Sequence, residues 1–274
     1  MHYSFQQVDV FARSPCLGNP VAVFLDSEGL SSADMQKIAR WTNLSETTFV
    51  SASEKADYKV RIFTPQDEFP FAGHPTLGTA WALKKAGRIQ KDHFIQECAF
   101  GLIHINCENE KVFFELPHYI IDDLFVDQEI SAALGSTFQK GKLITTGPRW
   151  IIAELVQPQP ISNLTLHTEK LIALFKASNA EGITVYQIQE NRTVLVRTFF
   201  DCFNTIVEDP VCGSGNAAVA AHIMNTDNKN RLDSHYEAFQ GASLGRDGQI
   251  SVTLGDKIKI GGQCYTIFEG TANF

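Results

Sequence analysis

The chain has 274 residues, 44% of them hydrophobic and 20% charged, and its 23 lysines and arginines against 31 acids give a formal net charge of −8. That composition fits a globular protein of two domains or one large one. Without a basic cluster it excludes the phosphate-neutralising surface that nucleic acids and anionic membranes require, so neither is expected as a partner. No run approaches the roughly 20 apolar residues that cross a bilayer, and Met1-His2-Tyr3-Ser4-Phe5 lacks the basic-then-apolar order of a secretion signal; a cytoplasmic protein is expected.

The elements follow from periodicity in chain order. Alternation over residues 5–11 and an apolar run over 21–25 predict two strands joined through Pro15, Gly18, Asn19 and Pro20. Ser31-Ser32 supplies candidate N-caps for a helix over 33–41, with Asp34 in its first turn. Strands follow over 47–50 and 58–63, then a helix over 75–86 with Pro75 in its first turn and Gly87 at its C-terminal end. Residues 102–106 and 112–116 read as a hairpin, and Pro117-His118 as a boundary between domains 1–118 and 119–274. The second half shows strands over 143–146, 150–156, 183–189 and 194–200, and helices over 169–178 and 214–224. Strands follow over 236–240, 250–254 and 258–260, and the last strand is a candidate to return to the first domain. Two α+β halves, each a sheet around a helix, fit better than regular βαβ alternation.

The halves share one short pattern. Pro70-Phe71-Ala72-Gly73 and Pro210-Val211-Cys212-Gly213 each follow a strand and a polar loop, and each opens a helix of small residues. A true repeat would give two helix N-termini whose free amides and positive dipole ends suit a carboxylate; a chance match remains the alternative.

Few side chains stand where chemistry needs them. Glu46, in Asn43-Leu44-Ser45-Glu46-Thr47, sits where a helix gives way to a strand, as a catalytic acid or as a carboxylate that satisfies backbone donors. His74, between Gly73 and Pro75, stands at a helix start as a functional or a structural histidine. Asp209 precedes the second helix, where the dipole alone favours an acid. The six cysteines (Cys16, Cys98, Cys107, Cys202, Cys212 and Cys264) form no C-x-x-C pair, so neither a metal site nor a disulfide framework is expected, and most read as buried packing residues. Cys212 differs: a helix start lowers a thiol pKa, although a small buried residue at a tight turn fits equally. A cysteine hydrolase needs a base, and spacing alone pairs neither His74 nor His222 with it. Gly213-Ser214-Gly215-Asn216-Ala217-Ala218 matches a dinucleotide fingerprint, but Glu208-Asp209-Pro210 intervenes where a strand should run straight into the first glycine.

Six stretches in order carry a resemblance that spans nearly the whole chain. They are Asp9-Val10-Phe11 with Gly18-Asn19-Pro20, Asn43-Leu44-Ser45-Glu46-Thr47, Phe71-Ala72-Gly73-His74-Pro75-Thr76-Leu77-Gly78, Thr146-Gly147-Pro148-Arg149, Glu208-Asp209-Pro210-Val211-Cys212-Gly213-Ser214-Gly215, and Gln240-Gly241 with Gly245-Arg246-Asp247-Gly248. Together they resemble the PhzF-like phenazine-biosynthesis isomerase family. The resemblance implies an α+β fold of the diaminopimelate-epimerase type, two pseudo-symmetric domains that each curl a sheet around a central helix, with the site in the cleft between them. It also implies a homodimeric enzyme without cofactor or metal that relocates a proton on a small carboxylate substrate.

Under that resemblance Glu46 matches the proton-shuttling glutamate, and His74 and Asp209 match residues lining the cleft. Gly73, Ser214 and Gly215 match the helix starts that hold the substrate carboxylate, with Cys212 beside them. A shuttle works best with a pKa near the working pH, so burial is expected to raise Glu46, while a protonated His74 would oppose the shift or stabilise developing charge. Related epimerases oppose two thiols; here the equivalent places are Ala72 and Cys212, which disfavours that route. Two other readings stay open: a non-catalytic binding protein of this fold, and an epimerase that uses Glu46 with Cys212. Substrate choice is assigned to loops 119–126 and 158–168.

Overall fold

The computed structural model describes residues 2–124, 126–156 and 159–274; Phe125 and Pro158, in the two loops assigned to substrate choice, lie outside the described residues. The chain folds into two compact units, the first made of Met1–Pro117 with Ile260–Phe274 and the second of His118–Lys259.

In the first unit, β1 (His2–Val10) and β2 (Asn19–Phe24) precede α1 (Ser32–Thr42). Ser31 caps α1 by accepting from the Asp34 amide, and the Asp34 carboxylate reaches back to the Ser31 amide, closing a capping box. Then come β3 (Glu46–Ser51), β4 (Tyr58–Phe63), the short β5 (Glu68–Phe69) and α2 (Gly73–Lys85). The strands β6 (His93–Cys98), β7 (Gly101–Glu108) and β8 (Lys111–Glu115) complete the run.

In the second unit, β9 (Ile120–Asp123), α3 (Asp127–Leu134), β10 (Phe138–Thr145) and β11 (Arg149–Leu155) lead to α4 (Thr168–Ser178). After β12 (Gly182–Ile188), β13 (Val194–Cys202) and β14 (Thr205–Asp209) come α5 (Gly213–Met224), β15 (His235–Gln240) and β16 (Gly248–Thr253). A final strand, β17 (Lys259–Asn273), pairs antiparallel with β1.

The strand registers of the two units match step for step. β1 pairs antiparallel with β2, β2 parallel with β3, β3 antiparallel with β4, and β4 parallel with β6. In the second unit β10, β11, β12, β13 and β15 repeat the same order and sense. Glu46 lies opposite Val21 as Gly182 lies opposite Trp150. Thr47 pairs with Phe63 as Ile183 pairs with Phe199. Phe63 then pairs with Glu68 as Phe199 pairs with Glu208. Each hairpin also carries a two-bonded arginine clamp at the same place, Arg61 on Glu68 at 2.7 and 2.6 Å and Arg197 on Glu208 at 2.9 and 2.7 Å. The short shared motif therefore belongs to a correspondence that runs through six strands, and it sets Phe69 against Asp209, Ala72 against Cys212 and His74 against Ser214.

In each unit a helix of small residues is buried against the strands. α2 packs on β1, β2, β3 and β8, and α5 on β10, β11, β12 and β16. Small side chains are needed because the backbones approach closely. A Cβ at Gly78 would lie 2.3 Å from Val21 Cγ1, and one at Gly215 would lie 2.5 Å from Thr184 Oγ1. Amphipathic helices supply further cores: Met35, Ile38 and Ala39 of α1 meet Phe24, Phe49 and Phe63, while Leu171, Leu174 and Phe175 of α4 join Ile130 and Leu134 of α3.

Several elements differ from the expectations. β9 lies within residues 119–126, a stretch expected to be a loop, α3, β5, β6 and β14 were not expected, and β17 continues far beyond residue 260. Both central helices start earlier than expected, at Gly73 and Gly213.

Candidate active site

The first unit brings Glu46 and His74 together. Glu46 opens β3 and His74 is the second residue of α2, and His74 Nε2 lies 3.3 Å from Glu46 Oε2 with the side chains 4% and 13% exposed. The approach is not aligned as a hydrogen bond, so Nε2 makes none. On the other side of the ring, the Asn19 side-chain amide lies 3.4 Å from Nδ1, and Ser45 Oγ donates to Asn19 Oδ1 at 3.2 Å. Burial lowers the His74 pKa to about 3, only partly opposed by the Pro20 carbonyl. Of the two states left open for His74, burial favours the neutral ring, which acts as a dipole beside the Glu46 carboxylate.

Gly73 lies beside this pair at the start of α2. Its N-cap Ala72 forms no side-chain cap bond, and Pro75 has no amide hydrogen, so the N–H groups of Gly73 and His74 begin the helix without a side-chain acceptor from the cap. A helix start of this kind suits an anion.

The second unit gathers Asp209, Cys212, Ser214 and Gly215 within one strand-to-helix turn. Asp209 ends β14, and its Oδ1 accepts from the Val211 amide at 2.9 Å. Burial raises its pKa from 3.8 to about 6, against hydrogen bonds from the Cys212 thiol and the Val211 amide, with Glu208 adding to the rise. Cys212 is the N-cap of α5, its Sγ accepting from the Gly215 amide at 3.3 Å. Burial first, and then the Asp209 charge, push this thiol well above its ordinary pKa. Of the two readings left open for Cys212, this favours the small buried residue over the helix-activated thiolate, because desolvation and a neighbouring acid outweigh the helix dipole. His222 offers no base, since Nδ1 bonds Tyr186 Oη at 2.8 Å and Nε2 faces the Lys140 carbonyl at 2.7 Å.

The Gly215 amide is thus already engaged by Cys212. Ser214 is held by Trp150 Nε1, which donates to its Oγ at 3.2 Å, and by Thr146 Oγ1, which donates to its carbonyl at 3.1 Å. Gln240 fixes the turn from β15: its Oε1 accepts from the Cys212 amide at 3.2 Å and from Asn216 Nδ2 at 2.9 Å, while its Nε2 donates to the Asp209 carbonyl at 2.9 Å. Asn19, Ser45, Thr146 and Gln240 lie within the sequence motifs, where nothing local signals these contacts. Among the described residues, no group of three or more His, Cys, Asp or Glu side chains is placed to hold a metal ion, and no helix is long and apolar enough to cross a membrane.

Comparison with known proteins gives the family. Residues 8–270 match the family model for phenazine biosynthesis-like proteins, PhzC-PhzF. The chain belongs to the PhzC-PhzF family. Among its relatives, "Antisense-enhancing sequence 1" of Schizosaccharomyces pombe is 36% identical over 291 residues, covering 98% of each chain. The trans-2,3-dihydro-3-hydroxyanthranilate isomerase of Pseudomonas aeruginosa is 33% identical over 252 residues, covering 89% of this chain and 87% of that protein. The crystal structure of a PhzF-family protein from Enterococcus faecalis superposes with a TM-score of 0.83 at 27% identity over 100% of both chains. The strand-rich fold also matches that of a probable proline racemase from Agrobacterium radiobacter, with a TM-score of 0.68 at 12% identity, covering 99% of this chain and 92% of that one. As a PhzC-PhzF protein the chain is an isomerase by class, in agreement with the sequence expectation.

Proposed function

We propose that this PhzC-PhzF protein is a cofactor-independent isomerase that moves a proton on a small carboxylate-bearing metabolite, with Glu46 as the acid/base group. The observation that carries the reading is the buried Glu46–His74 pair at 3.3 Å, a carboxylate beside a neutral ring at an open helix start. Glu46 as carboxylate takes a proton from one substrate carbon, and as carboxylic acid it returns that proton to another, so the enzyme ends as it began. Negative charge that develops on the substrate is stabilised by amide dipoles at the starts of α2 and α5, including those of Gly73 and Ser214. Asp209, with a pKa of about 6, holds or gives a second proton near neutral pH.

The resemblance extends the proposal to two diaminopimelate-epimerase-like domains, 1–118 and 119–274 with the last strand returned to the first, and to a cytoplasmic homodimer. The net charge of −8 repels an anionic substrate overall, and a neutral His74 adds no cation, so attraction falls to the backbone amides. The test is deuterium uptake from heavy water into a panel of small carboxylates, headed by trans-2,3-dihydro-3-hydroxyanthranilate, the compound named for the Pseudomonas relative. Uptake that wild type catalyses and Glu46→Gln does not supports the reading. Undiminished uptake in Glu46→Gln refutes the base, and none across the panel supports a binding protein.

A further inference from the structure

A neutral imidazole carries one ring proton, and its position decides whether His74 offers Glu46 a donor or a lone pair. Besides Glu46, two groups bear on the ring. The Asn19 side-chain nitrogen, 3.4 Å from Nδ1, can only donate. The Pro20 carbonyl lies near the ring and can only accept. Asn19 is fully buried, and the Ser45 hydroxyl engages its Oδ1 at 3.2 Å, which turns its NH2 end towards His74. Ser45 directly precedes Glu46, so one short relay ties the approach to the carboxylate to the far side of the ring.

We infer that Asn19, held by Ser45, is a positioning residue that keeps His74 in the Nε2–H tautomer, so that the neutral ring presents a donor to the Glu46 carboxylate. The inference rests on the reading of Glu46 as the base. In the opposite tautomer Nδ1–H would meet the Asn19 amide, donor against donor, and a bare Nε2 lone pair would meet the carboxylate at 3.3 Å, which repels unless Glu46 is protonated. The repeat supplies an independent argument. By register the place of Asn19 falls on Pro148 and that of Glu46 on Gly182, so the half without the carboxylate also lacks the side-chain donor. Asn19 acts through His74 and touches no reacting atom.

Nitrogen-15 NMR of the histidine-labelled full chain, without substrate, tests this, with His74 assigned by the signal lost in His74→Gln. In wild type at neutral pH, Nε2 should resonate as a protonated ring nitrogen and Nδ1 as a bare one. Asn19→Asp keeps the side-chain size but replaces the donor with an acceptor, and should reverse the two positions or charge the ring. Ser45→Ala, which keeps the amide but frees its orientation, should give a mixture and serves if Asn19→Asp does not fold. A wild-type ring protonated on Nδ1, or a tautomer unmoved in both variants, overturns the inference. Failure of the Glu46 reading shows separately, as deuterium exchange surviving in Glu46→Gln while the tautomer behaves as stated.

Discussion

Replacing Asp209 by asparagine should stabilise the protein at alkaline pH and not at acid pH. The folded carboxyl has a pKa raised from 3.8 to about 6, so the native state holds its proton more tightly than the unfolded chain. A raised carboxyl contributes stability that is fully present below about pH 4 and is lost as the pH rises through about 6. Roughly two units at 1.36 kcal/mol each set the loss at about 3 kcal/mol, an upper figure because the side chain is only partly buried by surface area. Asparagine keeps an acceptor for the Val211 amide, which Asp209 Oδ1 engages at 2.9 Å, and removes the ionisation. Urea unfolding of both proteins at about pH 4.5 and pH 8 should show the variant gaining about 2–3 kcal/mol relative to wild type between the two conditions. Proton exchange on substrate should fall, as expected where a functional group is kept at a cost in stability. A variant penalised equally at both pH values would refute the reasoning, because the carboxylate would then carry no ionisation cost.

Glu46→Gln should lower substrate deuterium exchange by about 10²- to 10⁴-fold, the usual scale for a lost acid/base group, with thermal stability little changed; exchange at wild-type rate would remove Glu46 from the chemistry. Cys212→Ser should retain exchange and raise stability by about 0.5–1 kcal/mol, since a hydroxyl is the better N-cap, whereas Cys212→Ala should cost about 1 kcal/mol; thermal denaturation reads both, and loss of exchange in a folded Cys212→Ser protein would restore the thiol as a reactant. Gly215→Ala should be destabilising on balance: helix propensity favours alanine by about 1 kcal/mol, but a Cβ 2.5 Å from Thr184 Oγ1 overpacks the helix against β12 at about 1–3 kcal/mol. A stabilised Gly215→Ala protein would show that the helix can shift.

What the sequence made legible was whatever is local. The α1 cap follows from Ser31 and Asp34 three residues apart, and the capping box forms. The site positions were quoted from motifs, but their environment was not visible, because it comes from residues far away in the chain. His74 loses its charge through burial, and its Nδ1 partner Asn19 lies 55 residues away. Cys212 has a helix start in its favour, yet the Asp209 carboxylate beside it and dense packing dominate. Among the missed elements, α3 carried a readable signal in Ile130, Ala133 and Leu134, all buried, at helical spacing. β6 hid because its inward face includes Gln96, a fully buried polar residue held by Thr76 and Tyr58. β17 was cut short at Gly261, where the glycine admits the Phe113 ring, 2.2 Å from where a Cβ would stand.

The register between the two units turns a list of site residues into a division of labour. Glu46 corresponds to Gly182, where a Cβ would stand 2.2 Å from the Phe199 carbonyl oxygen, so the second half cannot carry a carboxylate at that place without moving a strand. Asp209 corresponds to Phe69 and Cys212 to Ala72, so the first half lacks the second acid and the capping thiol. A racemase that works with two opposed thiols needs both N-cap positions filled alike, and here one has no sulfur while the other's is buried, capped and pushed away from ionisation. Moving a proton from one carbon to another has a different requirement. One base that first accepts and then donates is sufficient, and a second equivalent base would compete for the same proton. On the proposed single-base reading the Glu46–His74 pair of the first half suffices by itself, so the two copies can keep the same hairpin clamps while the side chains at their helix starts differ.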